Sequence, residues 1–310
     1  GSLEDTLTEC SENNKTLTVP ELRDLQWALV SIVCGLHSEG FVHLDIKPRN
    51  IMKFKEPCAV KGGNSSEYWK LIDLDGAMRT GQTVSFEELV FTPEYVSPEL
   101  AKAHTTLAYN RRLERQNSKK DEQLKLSRLM DIWSVGMCAL EAIFLQPVLE
   151  PWYQEWRNDT GTDEKFFRWL ADYETDAVIS GDMRDAIADI DSEMCAMLEG
   201  MLAKDPQKRV CVAHCITHRW FQPIRDKILE DLRQTNIFAP TVSAEASHLL
   251  SLSSSVSASK TDADAATPRS GAFKPASSTA SAYSIGRVTK HSIASRWKVA
   301  KIASQACTVM

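Results

Sequence analysis

His43-Leu44-Asp45-Ile46-Lys47-Pro48-Arg49-Asn50, followed twenty-three residues later by Asp73-Leu74-Asp75, is the passage that decides the fold. The octapeptide is polar and interrupted by proline, so it reads as a tight loop. Phe41-Val42 before it and Ile51-Met52 after it read as short buried strands, and Tyr68–Ile72 reads as another that runs straight into Asp73. Lys61–Glu67, with Gly62-Gly63-Asn64, reads as the loop between strands. Outward from this centre the pattern is mostly helical. Thr18-Val19-Pro20-Glu21 is a capping box with proline in the first turn. It opens a helix with Leu22, Leu25, Leu29, Val33 and Leu36 on one face, closed at Gly40. Helical periodicity returns at Leu126–Leu145, Glu164–Tyr173, Ser192–Ala203 and Cys211–His218, and no internal repeat is seen.

The residue types of the central passage suit one chemistry. Phosphoryl transfer needs a carboxylate to take the nucleophile's proton, a cation near the moving phosphate and hard oxygen ligands for magnesium. Asp45, Lys47, Asn50 and Asp73 offer these groups, and a loop between neighbouring strands sets them at one end of a small sheet.

The passage resembles the catalytic loop and magnesium-binding triplet of the eukaryotic protein kinase family, and four further motifs follow in that family's order. Phe91-Thr92-Pro93-Glu94-Tyr95-Val96-Ser97-Pro98-Glu99 resembles the end of an activation segment, and Asp131-Ile132-Trp133-Ser134-Val135-Gly136 the start of the central buried helix. Lys204-Asp205-Pro206 with Arg209, and His218-Arg219-Trp220-Phe221, resemble the late motifs of the same domain. The resemblance implies an α+β, mainly helical, kinase-like large lobe with short β-hairpins around the catalytic loop. It sets a kinase domain fragment at residues 1–225, beginning near the hinge, and a Ser/Ala-rich, mostly disordered basic tail at 226–310.

The same resemblance implies the roles. Asp45 would orient the substrate hydroxyl and accept its proton, and Lys47, the residue of the Ser/Thr-specific class, would stabilise the transferring phosphate. Asn50 and Asp73 would hold Mg²⁺, and Thr92 would brace Asp45 and Lys47. His43, Glu99, Asp131 and Arg209 would be structural, with Glu99 and Arg209 paired and Asp131 capping the catalytic-loop backbone. ATP and Mg²⁺ are the implied cofactors, and proteins bearing Ser or Thr the implied substrates.

Several departures qualify this. Leu44 stands where an arginine is usual, so no cation beside Asp45 grips a phosphorylated activation loop. Leu74 keeps an apolar plug, whereas Asp75 replaces a glycine. Residues 104–128, with seven basic and three acidic side chains, read as an exposed charged insert. No glycine-rich phosphate loop or strand lysine precedes the catalytic loop, and Gly1–Leu7 resembles the exit from the inter-lobe hinge, so a fragment of a longer kinase is expected. A second reading is a pseudokinase or scaffold that binds partners through the 104–128 insert.

Composition fits a globular body with an unlike tail. Residues 240–310 carry a net +5 and residues 1–239 a net −11, which argues against nucleic-acid binding by the body. From Thr241 to Ser284, 27 of 44 residues are Ser, Ala or Thr, too few apolar groups to offset ordering entropy. Eight cysteines without framework spacing read as reduced thiols of a cytoplasmic protein. The longest apolar run, Ala28–Leu36, falls short of a membrane span. Cys307-Thr308-Val309-Met310 fits a prenylation box behind Arg287, Lys290, Arg296, Lys298 and Lys301, which would bring the tail to a membrane surface. Cys211, His214, Cys215 and His218 lie on one helix face and cannot surround a tetrahedral zinc ion. Asp182, Asp185, Asp189 and Asp191 read as a solvated face, and Trp133 and Trp220 as core.

Overall fold

The computed structural model describes residues 1–56, 66–113, 123–175 and 177–234. Helix α1 (Leu3–Glu12) is opened by Ser2 and Asp5 in a reciprocal capping box. Helix α2 (Val19–Ser38) is opened by Thr18 and Glu21 in the same way, with Glu21 Oε2 accepting from Thr18 N–H at 2.7 Å. Its expected apolar face is buried at Leu22, Leu25, Leu29 and Val33, and Gly40 ends it with φ +80°.

Short antiparallel ladders carry the strands. β1 (Phe41–Val42) pairs with β4 (Met78–Arg79), and β2 (Ile51–Glu56) pairs with β3 (Ser66–Leu71) from Ile51↔Leu71 to Glu56↔Ser66. The second hairpin is longer than Ile51-Met52 implied, because Phe54 stacks on Tyr68 across the strands at 6.1 Å. The third ladder joins β5 (Thr83–Ser85) to β6 (Gln123–Lys125).

Everything rests on α4 (Arg128–Phe144), which is buried continuously from Met130 to Ile143. A helix buried on every side belongs in a core, and this one packs against α2 and α8 (Ser192–Met201). Gly136 permits the closeness: a Cβ there would stand 2.9 Å from Leu202 Cγ. Trp133 and Trp220 are fully buried, as expected.

The remaining helices are α3 (Pro98–Leu113), α5 (Glu150–Thr160), α6 (Glu164–Ala171), α7 (Gly181–Ile190), α9 (Val212–Thr217) and α10 (Gln222–Gln234). Two expectations are corrected. The stretch 104–128 is not simply an exposed charged insert: His104 is half-buried on α3 against Phe86 and Phe167, and Leu126 is buried just after β6. Residues 226–234, assigned to the disordered tail, are helical, because Arg225 ties α10 to the carbonyls of Ile216 (2.7 Å) and His218 (2.9 Å). The rest of the tail, Cys307 and the basic run before it included, lies outside the described residues.

Asp182, Asp185 and Asp189 are exposed on α7, while Asp191 caps α8 by accepting from Glu193 and Met194 N–H. Among the described residues no cluster of His, Cys, Asp and Glu is suited to a metal ion, and no helix is long and apolar enough to cross a membrane.

Candidate active site

The loop between β1 and β2 is shaped from below by one buried carboxylate. Asp131, wholly buried on α4, accepts from His43 N–H (2.9 Å to Oδ2) and from Leu44 N–H (2.9 Å to Oδ1). It also accepts from His37 Nε2 on α2 at 2.9 Å. Each bond satisfies a donor with no ladder partner, and Leu44 is thereby held at φ +72°, which a branched side chain rarely adopts unaided. His37 was not singled out by the sequence reading. Its position one turn after Val33 on the apolar face of α2 was the available signal.

His43 carries the next link. Its Nδ1 accepts from Asp45 N–H at 3.3 Å, which leaves Nε2 protonated to donate to the Ile72 carbonyl at 3.1 Å. The Ile72 N–H in turn donates to the Asn50 carbonyl at 2.9 Å. The residue just ahead of Asp73 is thus pinned to both ends of the octapeptide. Asp73 itself turns at φ +61°, a left-handed conformation that Asp tolerates better than most side chains.

Above this frame the polar side chains meet. Lys47 Nζ donates to Asp45 Oδ2 (2.7 Å) and to Thr92 Oγ1 (2.8 Å), and the Thr92 hydroxyl donates to Asp45 Oδ1 (2.7 Å). Asn50 Nδ2 donates to the Asp45 carbonyl (2.9 Å) and lies 3.4 Å from Asp45 Oδ2. Both carboxylate oxygens of Asp45 are therefore fixed by cationic or hydroxyl donors. Asn50 keeps its amide oxygen free of these bonds, and Asp73 is exposed, with no hydrogen bond to its carboxylate among the described residues. An amide oxygen and a carboxylate are hard donors of the kind magnesium takes, so the donor set fits that ion.

Glu99 and Arg209 stand apart from this cluster. They form a two-pronged pair (2.8 and 2.9 Å) in which Arg209 is fully buried and also donates to the carbonyls of Ala203, Lys204 and Leu129. Leu74 departs from the expected plug: it is 53% exposed, because no element of the described chain covers it.

A second carboxylate lies behind the segment that carries Thr92. Glu141 on α4 is buried and accepts from Tyr95 O–H at 2.6 Å. Burial pushes it up to about 7, against the pull of that hydrogen bond, and burial likewise raises the Tyr95 phenol. Glu94 is pushed up by burial too, helped by the Glu150 and Asp163 carboxylates.

Comparison with known proteins agrees with this geometry. Residues 1–221 match a family model described as protein kinase domain. The chain is 29% identical over 187 residues to the smooth muscle myosin light chain kinase of Gallus gallus, a match covering 60% of this chain and 8% of that relative. The chain therefore spans a small part of the curated relative's length.

Proposed function

The chain belongs to the protein kinase domain family, and from that premise we propose that it forms the large lobe of a protein serine/threonine kinase. The supporting observation is the Asp45–Lys47–Thr92 triangle, with every side within 2.8 Å. A substrate hydroxyl entering between Asp45 and Thr92 meets a carboxylate oriented to accept its proton, while the Lys47 ammonium is placed to offset charge on the incoming phosphate. Lys47 is the residue of the Ser/Thr class at this position. Asn50 and Asp73 would hold Mg²⁺, which when bound with ATP supplies charge neutralisation at the phosphates. What this chain contributes is position: the buried Asp131 and His43 fix the loop so that Asp45 and Asn50 need no reorganisation during transfer.

The test is phosphate transfer from ATP to mixed Ser- and Thr-containing peptides by the full-length gene product. Asp45→Ala is expected to lower kcat by about 10²–10⁴ while leaving the fold intact. Transfer to tyrosine peptides only would overturn the Ser/Thr assignment. Absence of transfer by the wild type would favour a scaffold instead, a reading for which Leu74, uncovered by the described elements, and Asp75 in place of glycine speak.

A further inference from the structure

The segment from Asp73 to Glu99 carries Thr92 to Asp45, so whatever orders this segment sets the site. The usual means in the resemblance is a phosphate gripped by an arginine beside the catalytic aspartate. Here that residue is Leu44, which is 4% exposed and sits in the core with both its own N–H and that of His43 on Asp131. No cation comes from that position, yet the segment follows a defined path.

Its first half is held by a strand from a distant part of the chain. Thr83↔Lys125, Val84↔Leu124 and Ser85↔Gln123 pair antiparallel. The ladder continues through Gly81 N–H to the Leu126 carbonyl (2.8 Å) and Leu126 N–H to the Gln82 carbonyl (2.9 Å). Two residues thus oppose one, and the first is a glycine at φ +79°, which is the geometry of a glycine β-bulge. Such a bulge fixes register, and here it sets Val84 inward, where it is 3% exposed beside the buried Leu126.

The second half is held by rings. Phe86 lies 5.3 Å from Phe91 and 5.3 Å from His104 on α3, and Phe91 meets Phe167 on α6 at 6.2 Å. His104 closes the cluster against Phe167 at 4.3 Å. Thr92 follows directly. Ladder, ring cluster and Thr92 pin one continuous run of backbone between residues 81 and 92.

We propose that β6, the strand at the end of the 104–128 insert, is a built-in clamp that orders the activation segment without phosphorylation. That strand then does the work that a phosphate and an arginine do elsewhere. The proposal rests on reading residues 73–99 as the segment bordering the transfer site, but its test measures order and not transfer, so either can fail alone.

The experiment is hydrogen–deuterium exchange on the purified 310-residue chain, before and after phosphatase treatment, with mass spectrometric readout of peptides spanning 81–92. Leu124→Pro removes a ladder N–H, since the residue pair beyond a non-bonded pair is the bonded one. Gly81→Val strains the bulge at an exposed turn without touching the core. Both variants are expected to speed exchange across residues 81–92 by about tenfold or more, while peptides from α4 keep their protection. Phosphatase should leave the wild-type pattern unchanged. Unchanged exchange at 81–92 in Gly81→Val with α4 still protected would overturn the clamp. So would protection of 81–92 that disappears on phosphatase treatment. Should Leu124→Pro lose protection in α4 as well, it has unfolded, and Gly81→Val decides alone.

Discussion

The loop of residues 43–50 and the turn at Asp73–Asp75 are joined through the backbone of Ile72, yet the protein holds their carboxylates by opposite means. The loop is over-determined: the buried Asp131 and His43 bond backbone groups of residues 43–45 and 72, and His37 in turn holds the Asp131 carboxylate. The turn has one backbone bond of its own, from Ala77 N–H to the Leu74 carbonyl, and Asp73, Leu74 and Asp75 are all exposed. Under the proposed function, the group that would take the proton stands on the held loop, and the one that would hold an exchangeable ion stands where solvent reaches it.

The sharpest way to break this contrast is at its foundation. Asp131→Ala leaves two buried backbone N–H groups and the His37 Nε2–H without their acceptor. At about 1–3 kcal/mol for each orphaned group, shared by relaxation, the expected loss is about 4 kcal/mol in chemical denaturation. A loss below about 1 kcal/mol would mean that the loop holds its shape without α4.

Glu141 sharpens the same contrast through pH. Its folded-state value, raised to about 7 by burial, lies above an unfolded carboxylate near 4.5, so the folded state keeps a proton that the unfolded state has released. Stability therefore falls as pH rises from about 4.5 through about 7, and the cost is absent below that window. For a side chain this buried the drop is on the order of 3 kcal/mol. Glu141→Gln should flatten the stability profile between pH 5 and 8, read as denaturation midpoints across that range. A wild-type profile already flat there would show that Tyr95 stabilises the ionised form fully.

How much of this was legible in the sequence follows the same division. The octapeptide was readable because its chemistry depends on residue types at short spacing, and the structure joins Asp45, Lys47, Asn50 and Thr92 by direct hydrogen bonds. Periodicity found α2 and α4, whose apolar faces are long, but not α3 or α10, where charged residues blur the period. Partnerships across long loops were out of reach. Nothing local marks Gly81 as the bulge opposite Leu126, or Glu141 as the acceptor for Tyr95, since each partner is some forty-five residues away. Leu74 failed for a related reason: an apolar side chain predicts that a cover exists, not that these helices and hairpins supply it.

The smallest expected effect is the most discriminating. Asp73→Asn keeps size and shape, Asn enters the left-handed region as readily as Asp, and the side chain is exposed and free of hydrogen bonds to the described residues. Stability should then change by less than about 0.5 kcal/mol. What the substitution removes is the charge of a carboxylate that accepts no hydrogen bond from the described residues. In the full-length gene product the magnesium concentration giving half-maximal transfer should rise by about tenfold or more, with Asp45 and Lys47 undisturbed. A variant that is destabilised by several kcal/mol would show that Asp73 is a buttress and not an ion ligand, and the contrast between the held loop and the open turn would be lost. A stable variant with unaltered magnesium dependence would leave the turn without a task, and attention would move to Asp75, the neighbouring carboxylate that stands where a glycine is usual.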